Sequence, residues 1–200
     1  MQKFPNAYVI TGSIASGKST VVNLLKERGF SVIDADLIAH EQLEICKCEI
    51  VEAFGEQILD EARKIDRKKL GAIVFKEPKK LKNLEQILHP KIKAEIFFKA
   101  SQLERLEQVY FVDIPLFFEK KERYSEFKNV AVIYAPKELL LSRLMSRNGL
   151  SLNEAKARVE LQMDIEQKKK MAKFVIDNSS DREHLKLDLE KFLKQICAIS

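Results

Sequence analysis

A glycine loop set between an apolar strand pattern and a helical pattern leaves a chain few folds to choose from. This chain carries one at Gly12-Ser13-Ile14-Ala15-Ser16-Gly17-Lys18-Ser19-Thr20. The spacing is that of a phosphate-binding loop: Gly, four residues, then Gly-Lys-Ser. Ala7-Tyr8-Val9-Ile10 precedes it as a short buried strand, and Val21, Val22, Leu24 and Leu25 follow on one side of a helix that ends near Gly29. Glycines let the backbone curl so that successive N–H groups face one anion, and the helix adds the positive end of its dipole. In this pattern the loop from Gly12 to Thr20 holds the phosphates of a nucleoside triphosphate. Lys18 reaches the terminal phosphates, and the Ser19 hydroxyl is a ligand for Mg²⁺. A plain turn between strand and helix has no need of a Lys-Ser pair at the helix start.

Apolar runs at Ser31–Asp34, Val109–Asp113, Val130–Tyr134 and Phe174–Asp177 add four more short strands. Strands that alternate with helices predict an α/β fold in three layers, with a five-stranded parallel sheet covered on both faces. From about residue 37 to 107 no strand pattern occurs, so this span is expected to form a helical lobe outside the sheet. Its helices start at Asp66 and Pro78, and His89-Pro90 is expected to break the second. Ser151-Leu152-Asn153-Glu154 is a capping box, and Asp181 a cap for the last helix. The expected division is a single domain: a core at about 1–36, 108–142 and 174–200, an acceptor-binding lobe at about 37–107 and a lid at about 143–173.

With 200 residues, 46% hydrophobic and 32% charged, the chain suits one globular domain. No apolar run approaches the ~20 residues of a membrane span. The first strand begins at once, which leaves no room for a signal peptide, and the expected compartment is the cytoplasm. Cys46, Cys48 and Cys197 fit neither a disulfide framework nor a zinc pattern. Most of the net charge of +5 falls between Arg143 and Lys173, where eight basic side chains face four acidic ones. Charge so localised fits a polyanionic small molecule better than a nucleic acid.

Parallel sheets bind ligands at the carboxyl ends of their strands. Asp36, beyond the second strand, is placed to take a proton from a substrate hydroxyl and aim it at the γ-phosphate. Helix capping is the competing role, and Asp34 can fill it instead. Asp113 closes a run of four apolar residues, the shape of a strand whose terminal carboxylate holds Mg²⁺, though a plain strand-end aspartate has the same pattern. Arg143 and Arg147, four apart, share a helix face and suit charge stabilisation on a lid. Lys168-Lys169-Lys170 reads as a solvated face, and His89 as a structural residue at the helix break.

Several segments together resemble the dephospho-coenzyme A kinases. They are Val32-Ile33-Asp34-Ala35-Asp36, Phe54-Gly55, Asp66-Arg67-Lys68-Lys69-Leu70, Leu88-His89-Pro90-Lys91-Ile92, Asp113-Ile114-Pro115-Leu116-Phe117-Phe118-Glu119 and Val175-Ile176-Asp177-Asn178. They stand in the family's order over nearly the whole chain. The resemblance implies a P-loop kinase fold and the ATP-dependent phosphorylation of the ribose 3′-hydroxyl of dephospho-coenzyme A, the last step of coenzyme A synthesis. It implies Asp36 as base, Lys18 as the loop lysine, Arg143 and Arg147 as lid arginines, Ala15 to Thr20 as the ATP-binding run and His89 in the acceptor-binding part. The expected partner is the small-molecule acceptor, with no nucleic acid and no membrane, and the protein a monomer or weak homo-oligomer. Ser13 and Ala15 depart from the family's glycines, as Lys173 does from its acid before the last strand. Other P-loop kinases acting on a nucleotide, sugar or shikimate-like acid, or a nucleotide-dependent nucleic-acid binder, are the alternative readings.

Overall fold

In the computed structural model, which describes residues 3–198, five strands form one sheet: β1 (Ala7–Gly12), β2 (Val32–Asp34), β3 (Tyr110–Asp113), β4 (Asn129–Tyr134) and β5 (Phe174–Asp177). Their order is β2-β3-β1-β4-β5. The pairs β1–β3, β1–β4 and β4–β5 are all parallel. The registers set Ile10 opposite Asp113 and Gly12 opposite Ile133. The carboxyl ends of β3, β1 and β4 therefore lie along one edge.

Alternate residues feed two hydrophobic layers. Tyr8, Ile10, Phe111, Ala131, Ile133, Phe174 and Ile176 pack with α1 (Lys18–Glu27) and α9 (Arg182–Cys197). Val132 faces the other way, toward α6 (Lys137–Asn148), α7 (Leu152–Glu160) and α8 (Ile165–Met171), whose Leu140, Leu144, Ala155 and Ile165 are buried. Period-two alternation on a sheet covered on both sides produces this division. The expected caps form: Ser151 and Glu154 make a reciprocal capping box, and Asp181 accepts from the His184 N–H.

The chain divides into two compact units. One gathers the residues up to Ile33 and those from Ala100 on; the other is Asp34–Lys99. The second unit holds α2 (Ala35–Ile45), α3 (Lys47–Phe54), α4 (Arg67–Val74) and most of α5 (Pro78–Glu104). Its core is Leu43, Cys46, Ile50, Phe54, Ile58, Ile65, Leu70 and Val74. Past Asp34, the end of β2, its described residues show an isolated bridge, Leu59 to Ile65, and no further strand.

The expected break at His89-Pro90 is absent: α5 runs unbroken through Pro90. A proline inside a helix costs about 3 kcal/mol, by losing one N–H and crowding the carbonyl four residues back. Here Gln86 and Pro90 are both exposed, so water can meet that carbonyl. Leu84, Ile87 and Leu88 pack on the core before the proline, and Ile92 and Ile96 are buried after it. Each such burial is worth about 1.5–3 kcal/mol, enough to carry the helix across.

Candidate active site

The loop leaves β1 at Gly12 and enters α1 at Lys18. Gly17 has φ 93°, a left-handed conformation open to glycine at little cost. A Cβ on Gly17 would lie 2.1 Å from Asn178 Nδ2. Ala15 also has positive φ, 63°, without being a glycine. Where the resemblance leads one to expect glycine, the alanine thus still adopts a glycine-like backbone.

The loop is held from outside at several points. Lys168 Nζ lies 3.4 Å from the Gly12 carbonyl. The Ile14 N–H donates to Gln162 Oε1 at 2.8 Å. The Ala15 carbonyl accepts from Arg143 Nη1 at 3.5 Å, while Arg143 Nη2 donates to the Asn178 carbonyl at 2.9 Å. Asn178 Nδ2 donates to the Ser16 carbonyl at 2.7 Å. The Thr20 N–H bonds to the Gly17 carbonyl at 3.0 Å, and the N–H groups ahead of it, at Lys18 and Ser19, are the ones a helix start offers to an anion.

Lys18 Nζ bridges both oxygens of Asp113, at 2.6 and 2.7 Å. Asp113 ends β3 and is 6% exposed, so this charge pair lies largely out of water. The Ser19 side chain stands exposed in the first turn of α1. Arg143 is half-buried on α6, and burial lowers its pKa, though a guanidinium stays charged at neutral pH. Arg147, one turn on, is exposed and donates to the neighbouring Asn148. Thus of the two arginines only Arg143 touches the loop.

In the second unit, Asp34 caps α2 by accepting the Leu37 N–H at 2.9 Å. Asp36 is therefore not the cap; it stands exposed in the first turn of that helix. His89 is half-buried, with Nε2 3.6 Å from Glu85 Oε1.

The lysine run is not a uniformly solvated face. Lys170 is exposed, but Lys169 Nζ sits 3.7 Å from the centre of the Tyr134 ring, and Lys168 is fully buried. Lys168 Nζ pairs with Glu119 Oε1 at 2.8 Å, and the same oxygen accepts the Met163 N–H at 2.9 Å. The Tyr134 hydroxyl donates to Glu166, which pushes its pKa up to about 12. Lys173 donates to Asn129 Oδ1 at 2.8 Å, which explains a basic residue before β5. Sequence reasoning missed Gln162, Lys168 and Asn178 as loop contacts. Asn178, directly after the last strand, had a positional signal; a lysine within a run of lysines had none.

A parallel α/β core, a Gly-Lys-Ser loop at the carboxyl edge of its sheet and a strand-end aspartate on the loop lysine define a P-loop protein of the kinase type. Residues 8–184 match the family Dephospho-CoA kinase. The dephospho-CoA kinase of Wolinella succinogenes is 44% identical over 98% of this chain and 97% of its own. That of Helicobacter pylori strain J99 is 46% identical over 96% and 97%. The solved dephospho-CoA kinase of Campylobacter jejuni superposes with a TM-score of 0.78 at 42% identity, covering 96% of both chains. The chain belongs to the dephospho-CoA kinase family.

Proposed function

We propose that this protein transfers the γ-phosphoryl group of ATP to the ribose 3′-hydroxyl of dephospho-coenzyme A, giving coenzyme A and ADP. The observation that carries the reading is the Lys18–Asp113 pair beside the phosphate loop, in a chain whose residues 8–184 match the family. Loop N–H groups and Lys18 bind the β- and γ-phosphates. Asp36, exposed and relieved of capping by Asp34, accepts the hydroxyl proton as the oxygen attacks the γ-phosphorus. The bond from that phosphorus to the β-bridging oxygen breaks, and ADP leaves. Lys18, Arg143 and Arg147 stabilise the charge that develops on the transferring group.

The Ser19 hydroxyl and the Asp113 carboxylate are hard oxygen donors that fit Mg²⁺. No group of three metal-ligating side chains occurs among the described residues, and a cation that keeps waters and phosphate oxygens needs none. When bound, Mg²⁺ neutralises charge on the β- and γ-phosphates. In this reading the helices of 37–107, His89 among them, hold the acceptor, and 143–173 forms the lid.

The partners proposed are small molecules, with neither nucleic acid nor membrane, for a monomer or weak homo-oligomer of the cytoplasm. Much of the basic surplus is engaged within the fold: Arg143 on two carbonyls, Lys168 on Glu119, Lys169 on Tyr134 and Lys173 on Asn129. No helix among the described residues is long and apolar enough to cross a membrane.

The test is an assay of purified protein with ATP, Mg²⁺ and dephospho-coenzyme A. Coenzyme A and ADP should form one to one. Phosphorylation of a nucleotide, a sugar or shikimate, with none of dephospho-coenzyme A, overturns the assignment.

A further inference from the structure

Two side chains of the α7–α8 connection grip the phosphate loop. Gln162, just past α7, takes the Ile14 N–H at 2.8 Å, and Lys168, on α8, reaches the Gly12 carbonyl at 3.4 Å. Glu119 braces the connection between them, accepting from both Met163 N–H and Lys168 Nζ through Oε1. Both contacts lie just ahead of Ala15, the loop residue with φ 63°. A left-handed alanine persists only where its surroundings hold it.

The Lys168–Glu119 pair is poorly made for stability. Lys168 is fully buried, and Glu119 Oε2 is buried with no hydrogen-bond partner. Burying an incompletely satisfied pair costs about what the attraction returns, and neutral replacements of such pairs are often harmless to folding. Placing a cation on the carbonyl of the loop's first glycine does something a neutral pair would not.

We infer that Gln162 and Lys168, braced by Glu119, are positioning residues for nucleotide binding: the α7–α8 connection sets the shape of the phosphate loop. The inference rests on the reading of Gly12–Thr20 as the ATP site. It needs no contact between either side chain and the nucleotide. Gln162 fixes the Ser13–Ile14 peptide, one residue ahead of Ala15, and Lys168 fixes the point where the loop leaves β1, so the anion-facing N–H groups start from their binding geometry.

The experiment is a titration of purified protein with Mg²⁺-ATP, acceptor omitted, with the melting temperature measured alongside. Gln162→Met keeps the side-chain volume and removes the amide acceptor. Lys168→Met with Glu119→Gln removes the buried charges and keeps an acceptor for the Met163 N–H. Each should raise the Kd for ATP about five- to tenfold, the worth of one hydrogen bond, with melting within a few degrees of the parent. The KM for the acceptor should be unchanged. An unchanged Kd in Gln162→Met overturns the inference, as does tighter binding, which would make Gln162 a competitor of phosphate. If the double variant does not fold, Gln162→Met alone decides. A parent protein that does not bind ATP sinks the site reading itself, a failure separable from that of the variants.

Discussion

Both carboxylate oxygens of Asp113 lie within 2.7 Å of Lys18 Nζ, joining the end of β3 to the start of α1. In the function proposed above, Lys18 exchanges this partner for the phosphates and leaves the carboxylate to face Mg²⁺. Asp113→Asn should cut turnover at least about tenfold and shift half-saturation by Mg²⁺ upward, since a developing charge loses its counter-ion. It should also cost about 1–3 kcal/mol of stability, because Lys18 loses a charged partner. An unaltered Mg²⁺ titration removes Asp113 from the metal site.

Gly17→Ala tests the loop's backbone. The φ of 93° costs a residue with a Cβ about 1–2 kcal/mol, and the new carbon meets Asn178 Nδ2 at 2.1 Å. ATP binding should fall more than tenfold. Adding Asn178→Ala should recover only part of it, because the clash is relieved while the strain remains and the bond to the Ser16 carbonyl is lost. Near-parental binding by the single variant contradicts the role given to the loop.

Ala15→Gly should act in the opposite direction. Relief of left-handed strain, less the entropy glycine loses on folding, leaves a gain of about 0.5–1 kcal/mol. Thermal unfolding should then shift upward by about 1–4 °C. A lower melting temperature means that the alanine methyl contributes more through packing with α6 and β4 than its backbone costs.

Asp36→Asn separates chemistry from binding. Loss of a general base lowers turnover by about 10²- to 10⁴-fold, while the Kd for ATP should stay within about twofold. Asp34→Ala should do the reverse, costing about 1 kcal/mol of stability as α2 loses its cap and leaving most turnover. If Asp34→Ala abolishes turnover and Asp36→Asn does not, the roles are exchanged.

The two arginines of α6 should differ. Arg143 holds the Ala15 and Asn178 carbonyls, so Arg143→Ala should weaken ATP binding and lower the melting temperature together. Arg147 is exposed, and Arg147→Ala should leave melting unchanged while lowering kcat about tenfold or more. Identical effects from both would place them in one structural role.

The sheet was legible because buried parallel strands must be short and apolar, and this chain shows five such runs. Its loop was legible because few residues can bind a phosphate through backbone N–H groups, and spacing alone displays them. The continuity of α5 through Pro90 was not. Local geometry argues for a break there, and burial of Ile92 and Ile96 outweighs it. Lys168 was equally hidden: its neighbours Lys169 and Lys170 have the same chemistry, and only the turn of α8 sends one of the three inward.

By itself, then, the sequence determined the strand–loop–helix start, the order of strands and helices along the chain and the caps at Ser151 and Asp181, since each depends on residues close together, and it determined the family through segments spread over nearly its whole length. Tertiary structure alone decided which side chains hold Gly12, Ile14, Ala15 and Ser16 from outside. Those contacts join residues more than a hundred positions apart, and local propensity carries no information about a partner that only folding brings within 3.5 Å.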